Sequence, residues 1–167
     1  KDLYKDDGKE KTYVKDITLD TDFELLFPDD YVNNITERLN LYTKLNTLKT
    51  EEELHTFETE ILDRFGELPT EVEDLLNSVR IKWIATKLGL EKVVMKNNKL
   101  VGYFISDQQS GFYQSGNFTR VLQYIQTNPK ACKMKEKQTR KGLRLLLTFE
   151  KIKSVDNALS SLNSILN

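Results

Sequence analysis

Apolar side chains change their period along this chain, and the change constrains the fold class. From Tyr31 to Leu88 they return every three or four residues, the repeat of helices with one buried face. From Glu91 onward they return every second residue in two stretches, 91–106 and 131–150, and each stretch is followed by a helical run. Strands that follow a helical block, instead of alternating with single helices, predict an α+β domain. Its expected order is an N-terminal strand, a three-helix segment, then two ββα units whose strands form an antiparallel sheet packed against helices.

The local signals place each element. Tyr13, Ile17, Leu19, Phe23, Leu25 and Phe27 alternate with a set containing Asp16, Asp20, Asp22 and Glu24, which predicts a strand over 13–27 with one buried and one acidic face. Pro28 ends it, because proline has no amide to donate to a ladder. Asp29 or Asp30 is expected to cap a first helix with the stripe Tyr31, Ile35, Leu39, Tyr42 and Leu45. Thr50 and Glu53 read as the capping box of a second helix, with Leu54, Phe57, Ile61 and Phe65 inward and Gly66 as its C-terminal stop. A second box, Thr70 and Glu73, opens a third helix. That helix carries Val72, Leu75, Leu76, Val79 and Trp83 on one side, with Ile81, Ile84 and Leu88 on another. A helix apolar on two sides is expected to be sandwiched in the interior.

In the second half, Asn97-Asn98 is expected to turn a hairpin, since Asn tolerates positive φ. A loop then leads to a short helix marked by Phe118, Val121, Leu122 and Ile125, which stops at Asn128-Pro129. A second hairpin turns at 139–142. Ser154 caps a terminal helix whose inner face carries Val155, Ala158, Leu159, Leu162, Ile165 and Leu166.

Several chemistries are missing from the sequence. No phosphate-cradling G-x-x-x-x-G-K-[ST] loop and no G-x-G-x-x-G fingerprint occurs. No apolar run approaches the ~18 residues that span a bilayer, and no signal-peptide pattern opens the chain. The lone cysteine excludes an internal disulfide framework and suits a reducing cytosol. Cys132 is expected to fill an inward strand position as a small apolar side chain, and His55 to lie on the helix surface without a partner to make it a base. Glu51, Glu52 and Glu53 radiate around their helix and complement its positive N-terminus; they do not converge on a metal. The chain begins at Lys1, and the charged segment 1–12 reads as a linker in a fragment of a longer protein.

Charge is divided between the halves. Residues 1–80 carry 10 basic and 21 acidic side chains, residues 81–167 carry 15 and 5. Opposite halves imply either neutralisation within the fold or two distinct contact faces. Two clusters stand out. Glu60 and Asp63 lie about 60° apart on the helical wheel, away from the apolar stripe, with Arg64 placed to pair with Glu60 one turn on. Such outward carboxylates can dock the arginines of a partner, because they accept paired guanidinium hydrogen bonds. In the other cluster Lys133, Lys135 and Lys137 project from one strand face within the basic stretch 130–144. They could contact phosphates directly, protect an edge strand, or pair with the acidic face of residues 16–24.

Most of residues 28–165, and most strongly 28–90, is similar to the C-terminal domain of bacterial transcription-repair coupling factors. The resemblance is carried by P-D-D-Y at 28–31, Arg38-Leu39 with Tyr42, D-R-F-G-x-L-P at 63–69 and the A-x-K-L-G-L string at 85–90. It implies large cytoplasmic ATP-driven DNA translocases, helicase-like hydrolases that displace stalled RNA polymerase and recruit nucleotide-excision repair. The ATP-binding motor would lie upstream, so this fragment would hold no cofactor and do no catalysis. Residues 1–12 would be a linker from that motor, 13–27 a connecting strand, and 28–167 a regulatory domain. The resemblance further implies that this domain packs on an N-terminal repair-subunit-like module and masks the surface that binds the damage-recognition ATPase. Glu60, Asp63 and Arg64 would be the partner-binding residues.

Overall fold

In a computed structural model of the chain, residues 12–167 are described, so all but the last residue of the expected 1–12 linker lies outside the described residues. Ten elements follow in order: β1 (Thr18–Thr21), α1 (Ile35–Leu45), α2 (Glu51–Phe65), α3 (Thr70–Lys87), β2 (Leu90–Lys96), β3 (Lys99–Phe104), α4 (Gly116–Thr127), β4 (Cys132–Thr139), β5 (Gly142–Glu150) and α5 (Val155–Leu166). A short 3-10 turn, Gly111–Gln114, precedes α4. The class is α+β, and both ββα units form as the period-two stretches predict.

The five strands make one sheet in the order β1-β2-β3-β5-β4. Asn97 and Asn98 adopt φ of 55° and 61°, the left-handed pair that a two-residue hairpin turn requires. Every pairing is antiparallel except one: β1 runs parallel to β2. The strands of the two ββα units thus pair antiparallel as expected, and the parallel N-terminal strand makes the whole sheet mixed.

The expected strand over 13–27 shortens to the four residues of β1. Thr21 ends it: its hydroxyl donates to the Met95 carbonyl at 2.9 Å and accepts the Phe23 amide at 3.1 Å, which turns the chain off the edge of β2. The alternation survives in packing. Tyr13, Ile17, Leu19, Phe23 and Leu25 are all partly buried against the sheet core.

Two apolar cores share one helix. Phe27, Val32, Leu41, Leu45, Leu54, Phe57 and Ile61 pack with the first half of α3, through Val72, Leu75, Leu76 and Val79. The second half of α3, through Ile81, Ala85 and Leu88, packs with α4 and α5 against one face of the sheet. The two-sided apolar pattern of α3 thus has the structural meaning it implied.

Two helix starts differ from the sequence expectation. α1 begins at Ile35, capped by Asn34, whose side chain accepts the Glu37 amide at 2.9 Å. The Pro28 carbonyl accepts the Tyr31 and Val32 amides, so the segment at 28–32 is a turn and neither Asp29 nor Asp30 caps a helix. The buried residues of α1 are Leu41 and Leu45, packed with α2 and α3, while Ile35 is 64% and Leu39 59% exposed. At α3 the Thr70–Glu73 box does not form. Pro69 occupies the cap position, and its carbonyl accepts the Val72 and Glu73 amides.

Candidate partner-docking surface

The second helix is fixed at both ends and along one face, which determines what its other faces present. Thr50 Oγ1 accepts the Glu53 amide at 3.1 Å, and the Glu53 carboxylate accepts the Lys49 amide at 2.6 Å. At the other end Gly66 takes φ of 93°, a left-handed value that favours glycine, and its amide donates to the Leu62 carbonyl. The Tyr31 hydroxyl then donates to the Gly66 carbonyl at 2.8 Å and ties the helix end to the turn before α1. Between these ends Leu54, Phe57 and Ile61 are buried to 1% exposure or less. Burial of three such side chains holds α2 by several kcal/mol and keeps its rotation fixed.

With that rotation set, Glu60 and Arg64 lie on the flank that meets α1, and Asp63 lies outward. Glu60 Oε1 accepts from Lys44 Nζ at 2.6 Å. Arg64 Nη2 donates to Glu37 Oε1 at 2.5 Å, and its guanidinium sits 4.7 Å from the centre of the Phe65 ring. The expected Glu60–Arg64 pair along one helix is thus replaced by two rungs between helices. The physical reason is that the neighbouring helix offers each charge an opposite charge at closer range than its own helix does. Asp63 is exposed and makes no ion pair or hydrogen bond among the described residues. The Glu60 side chain remains 40% exposed beside it.

The opposite flank of α2 is closed by Glu51, which accepts from Arg80 of α3 at 2.8 Å and 2.5 Å in a two-pronged pair. The Arg80 hydrogen bond holds the Glu51 carboxyl below its ordinary range and raises the Arg80 guanidinium in turn. In α3, burial and the nearby Asp156 carboxylate push the Asp74 carboxyl up.

Sequence reasoning assigned Ile35 and Leu39 to the core, and the structure places them on the surface. The overlooked signal was Asn34 three residues before Glu37, an N-cap pattern that competes with Asp29 and Asp30. Leu62, 48% exposed, joins Ile35 and Leu39 as large apolar side chains that α1 and α2 display.

The other candidates fall elsewhere. Lys133, Lys135 and Lys137 are exposed on β4, an edge strand, and the acidic segment 16–24 lies at the far edge with β1. Of the three roles open to these lysines, pairing with residues 16–24 does not form; Asp20 pairs instead with Lys96 at 3.2 Å. His55 is exposed. Cys132 is 1% exposed, and burial pushes its thiol up to about 12. Among the described residues no three His, Cys, Asp or Glu side chains gather as a metal site, and no helix is long and apolar enough to cross a membrane.

Comparison with known proteins agrees with the fold. A family model, the TRCF domain, matches residues 21–115. A transcription-repair-coupling factor from Rickettsia conorii is 32% identical over 136 residues, covering 80% of this chain and 11% of that protein. The one from Escherichia coli is 36% identical over 90 residues, covering 52% and 8%. This chain therefore spans about a tenth of the length of these relatives. The crystal structure of a C-terminal domain of transcription-repair coupling factor superposes with a TM-score of 0.65 at 20% identity, over 92% of this chain and 95% of that one. The mixed-sheet α+β fold and the family match together lead to one assignment: the chain belongs to the TRCF domain family of transcription-repair coupling factors.

Proposed function

We propose that this chain is the non-catalytic C-terminal regulatory domain of a transcription-repair coupling factor. The parent protein is a cytoplasmic, ATP-driven DNA translocase that removes stalled RNA polymerase and recruits nucleotide-excision repair. Its motor and ATP site lie upstream, residues 1–12 link to it, 13–27 connect, and 28–167 form the regulatory unit. In the resting protein this unit packs on the N-terminal repair-subunit-like module and masks the surface that the damage-recognition ATPase would use.

The observation that carries this reading is the exposed carboxylate pair on α2. Asp63 is uncompensated among the described residues, and Glu60 keeps one oxygen free of Lys44. A partner arginine can take both carboxylates, with Arg64 held beside them by Glu37 as a positioning neighbour. A contact made mainly of exposed charge is worth little in free energy, so engagement of polymerase and DNA elsewhere can open it. That is the requirement of a latch, and a large apolar interface would not meet it.

The test is Glu60→Ala/Asp63→Ala in the whole protein. The double variant is expected to bind the damage-recognition ATPase without polymerase or DNA present. Unchanged binding, with the fold intact by circular dichroism, removes these residues from the latch. The 167-residue chain alone is expected to hydrolyse no ATP, and turnover by it would overturn the non-catalytic reading.

A further inference from the structure

Among the described residues, one face of the sheet carries no helix. The sheet core draws on alternate strand positions such as Val93, Met95, Leu100, Leu147 and Phe149, all on the helix side. The registers place the other positions together in rows across the strands. One row runs Lys135, Leu146, Tyr103, Lys92 from β4 to β2, and the next contains Lys133, Thr148, Val101 and Val94. Lys137 lies opposite Arg144 at the end of the face.

The charges on this face are unbalanced. Its carboxylates are met locally, Asp20 by Lys96 at 3.2 Å and Glu150 by Lys99 at 3.9 Å. Arg144 is held in place by the Phe104 carbonyl at 2.9 Å and Glu91 at 3.0 Å. Lys92, Lys133, Lys135 and Lys137 remain without an ion pair among the described residues. Three of them recur about every 6.8 Å along β4. Their row covers roughly four steps of the ~3.4 Å charge repeat of one nucleic-acid strand. Lys92 stands three strand spacings away, roughly 14 Å, across Tyr103.

This face lacks what a protein interface needs. The large exposed apolar side chains, Ile35, Leu39, Leu62, Leu122 and Leu143, are on helices or on the helix side of β5. Leu146 and Thr148 on this face are 9% and 6% exposed with no helix of the described residues above them, so neighbouring long side chains cover them. Lys92 rests 5.5 Å from the Tyr103 ring centre, and the β4 lysines stand in solvent; a surface of cations without carboxylate partners suits a charged backbone, whereas protein interfaces are depleted of charge at their centre.

We propose that the open sheet face, through Lys92, Lys133, Lys135 and Lys137, binds the phosphate backbone of a nucleic acid without reading its sequence. The site is separate from the α2 carboxylates and does not depend on the latch reading. Four neutralised phosphates give a slope of log K against log salt of about −3.6 on duplex or −2.8 on a single strand.

The test is fluorescence anisotropy of a labelled oligonucleotide of about 20 nucleotides, single-stranded and as a duplex, titrated with the 167-residue chain from about 50 mM salt upward. Salt-dependent association with either form is expected. K133E/K135E/K137E is expected to weaken it at least about tenfold, K133Q/K135Q/K137Q to flatten the slope by two to three charges, and Glu60→Ala/Asp63→Ala to leave it unchanged. The Gln variant removes the charges while keeping a polar side chain on the edge strand, should charge reversal unfold it. Absence of association at low salt overturns the proposal, as does association that neither lysine variant alters. Equal displacement by polyglutamate at matched charge would instead identify an acidic protein as the ligand and would equally overturn it.

Discussion

Arg64 on α2 donates to Glu37 on α1 at 2.5 Å, and not to Glu60 one turn before it on its own helix. Both side chains are more than a third exposed, so the pair contributes modestly, about 0.2–1 kcal/mol. A double-mutant cycle of Arg64→Ala and Glu37→Ala by urea unfolding is expected to return a coupling in that range. The same cycle on Arg64 and Glu60 is expected to return none. Coupling of Arg64 to Glu60 would show that the inter-helix pair is not formed in solution.

The Glu51–Arg80 pair sets a pH dependence of definite sign. Its carboxyl is held below the ordinary 4.5, so its contribution is fully present above that value and is lost as pH falls through the lower folded value. The Glu51 side chain is 64% exposed, which keeps the effect small. Thermal melts of the chain and of Glu51→Gln are expected to differ by no more than about 2 °C at neutral pH. The gap is expected to stay constant down to the ordinary carboxyl range and to close below it. A gap that widens in acid would show the opposite shift.

Gly89 and Gly116 separate a required glycine from a tolerated one. Gly89 takes φ of 76°, and a Cβ there would stand 2.3 Å from the Phe112 ring. That ring is 1% exposed and packed among Phe104, Phe118, Tyr113 and Tyr13, so it has nowhere to move. Gly89→Ala is expected to cost about 3 kcal/mol or more, read by denaturant midpoint. Gly116→Ala, in the first turn of α4 with nothing within 4 Å, is expected to be neutral or to stabilise by up to about 1 kcal/mol.

Cys132 is expected to be chemically silent in the folded chain. Burial raises its thiol to about 12, so the thiolate fraction at pH 8 is about one in ten thousand. Reaction with a disulfide reagent at that pH is expected to follow the unfolding rate and to become immediate in denaturant. Rapid reaction under native conditions would place the thiol on the surface.

Elements with a clean period and a local stop were readable from residues alone. The second helix runs as expected because Thr50, Leu54, Phe57, Ile61 and Gly66 state its start, buried face and end within a single stretch from 50 to 66. The Asn97-Asn98 hairpin followed for the same reason: one local backbone preference determines it. The first helix was misplaced because Asp29, Asp30 and Asn34 are all competent caps. Which one acts depends on the turn that the Pro28 carbonyl closes, and on which apolar residues reach the core. The N-terminal strand was overextended because side-chain alternation persists where backbone pairing has already ended at Thr21.

The candidate surface divides along the same line. That Glu60 and Asp63 point away from the buried stripe follows from helical geometry once Leu54, Phe57 and Ile61 are taken as inward. That Lys44 occupies Glu60, that Glu37 takes Arg64, and that Asp63 has no partner among the described residues were decided by where α1 comes to rest. The lysine row is similar. Alternation puts Lys133, Lys135 and Lys137 on one side of their strand, while only the sheet order puts Lys92 across from them and the acidic segment at the opposite edge. Local sequence dictates periodicity because neighbours along the chain share one backbone geometry. Charge partners come from segments far apart in sequence, and the packing of the whole chain is what brings them within reach.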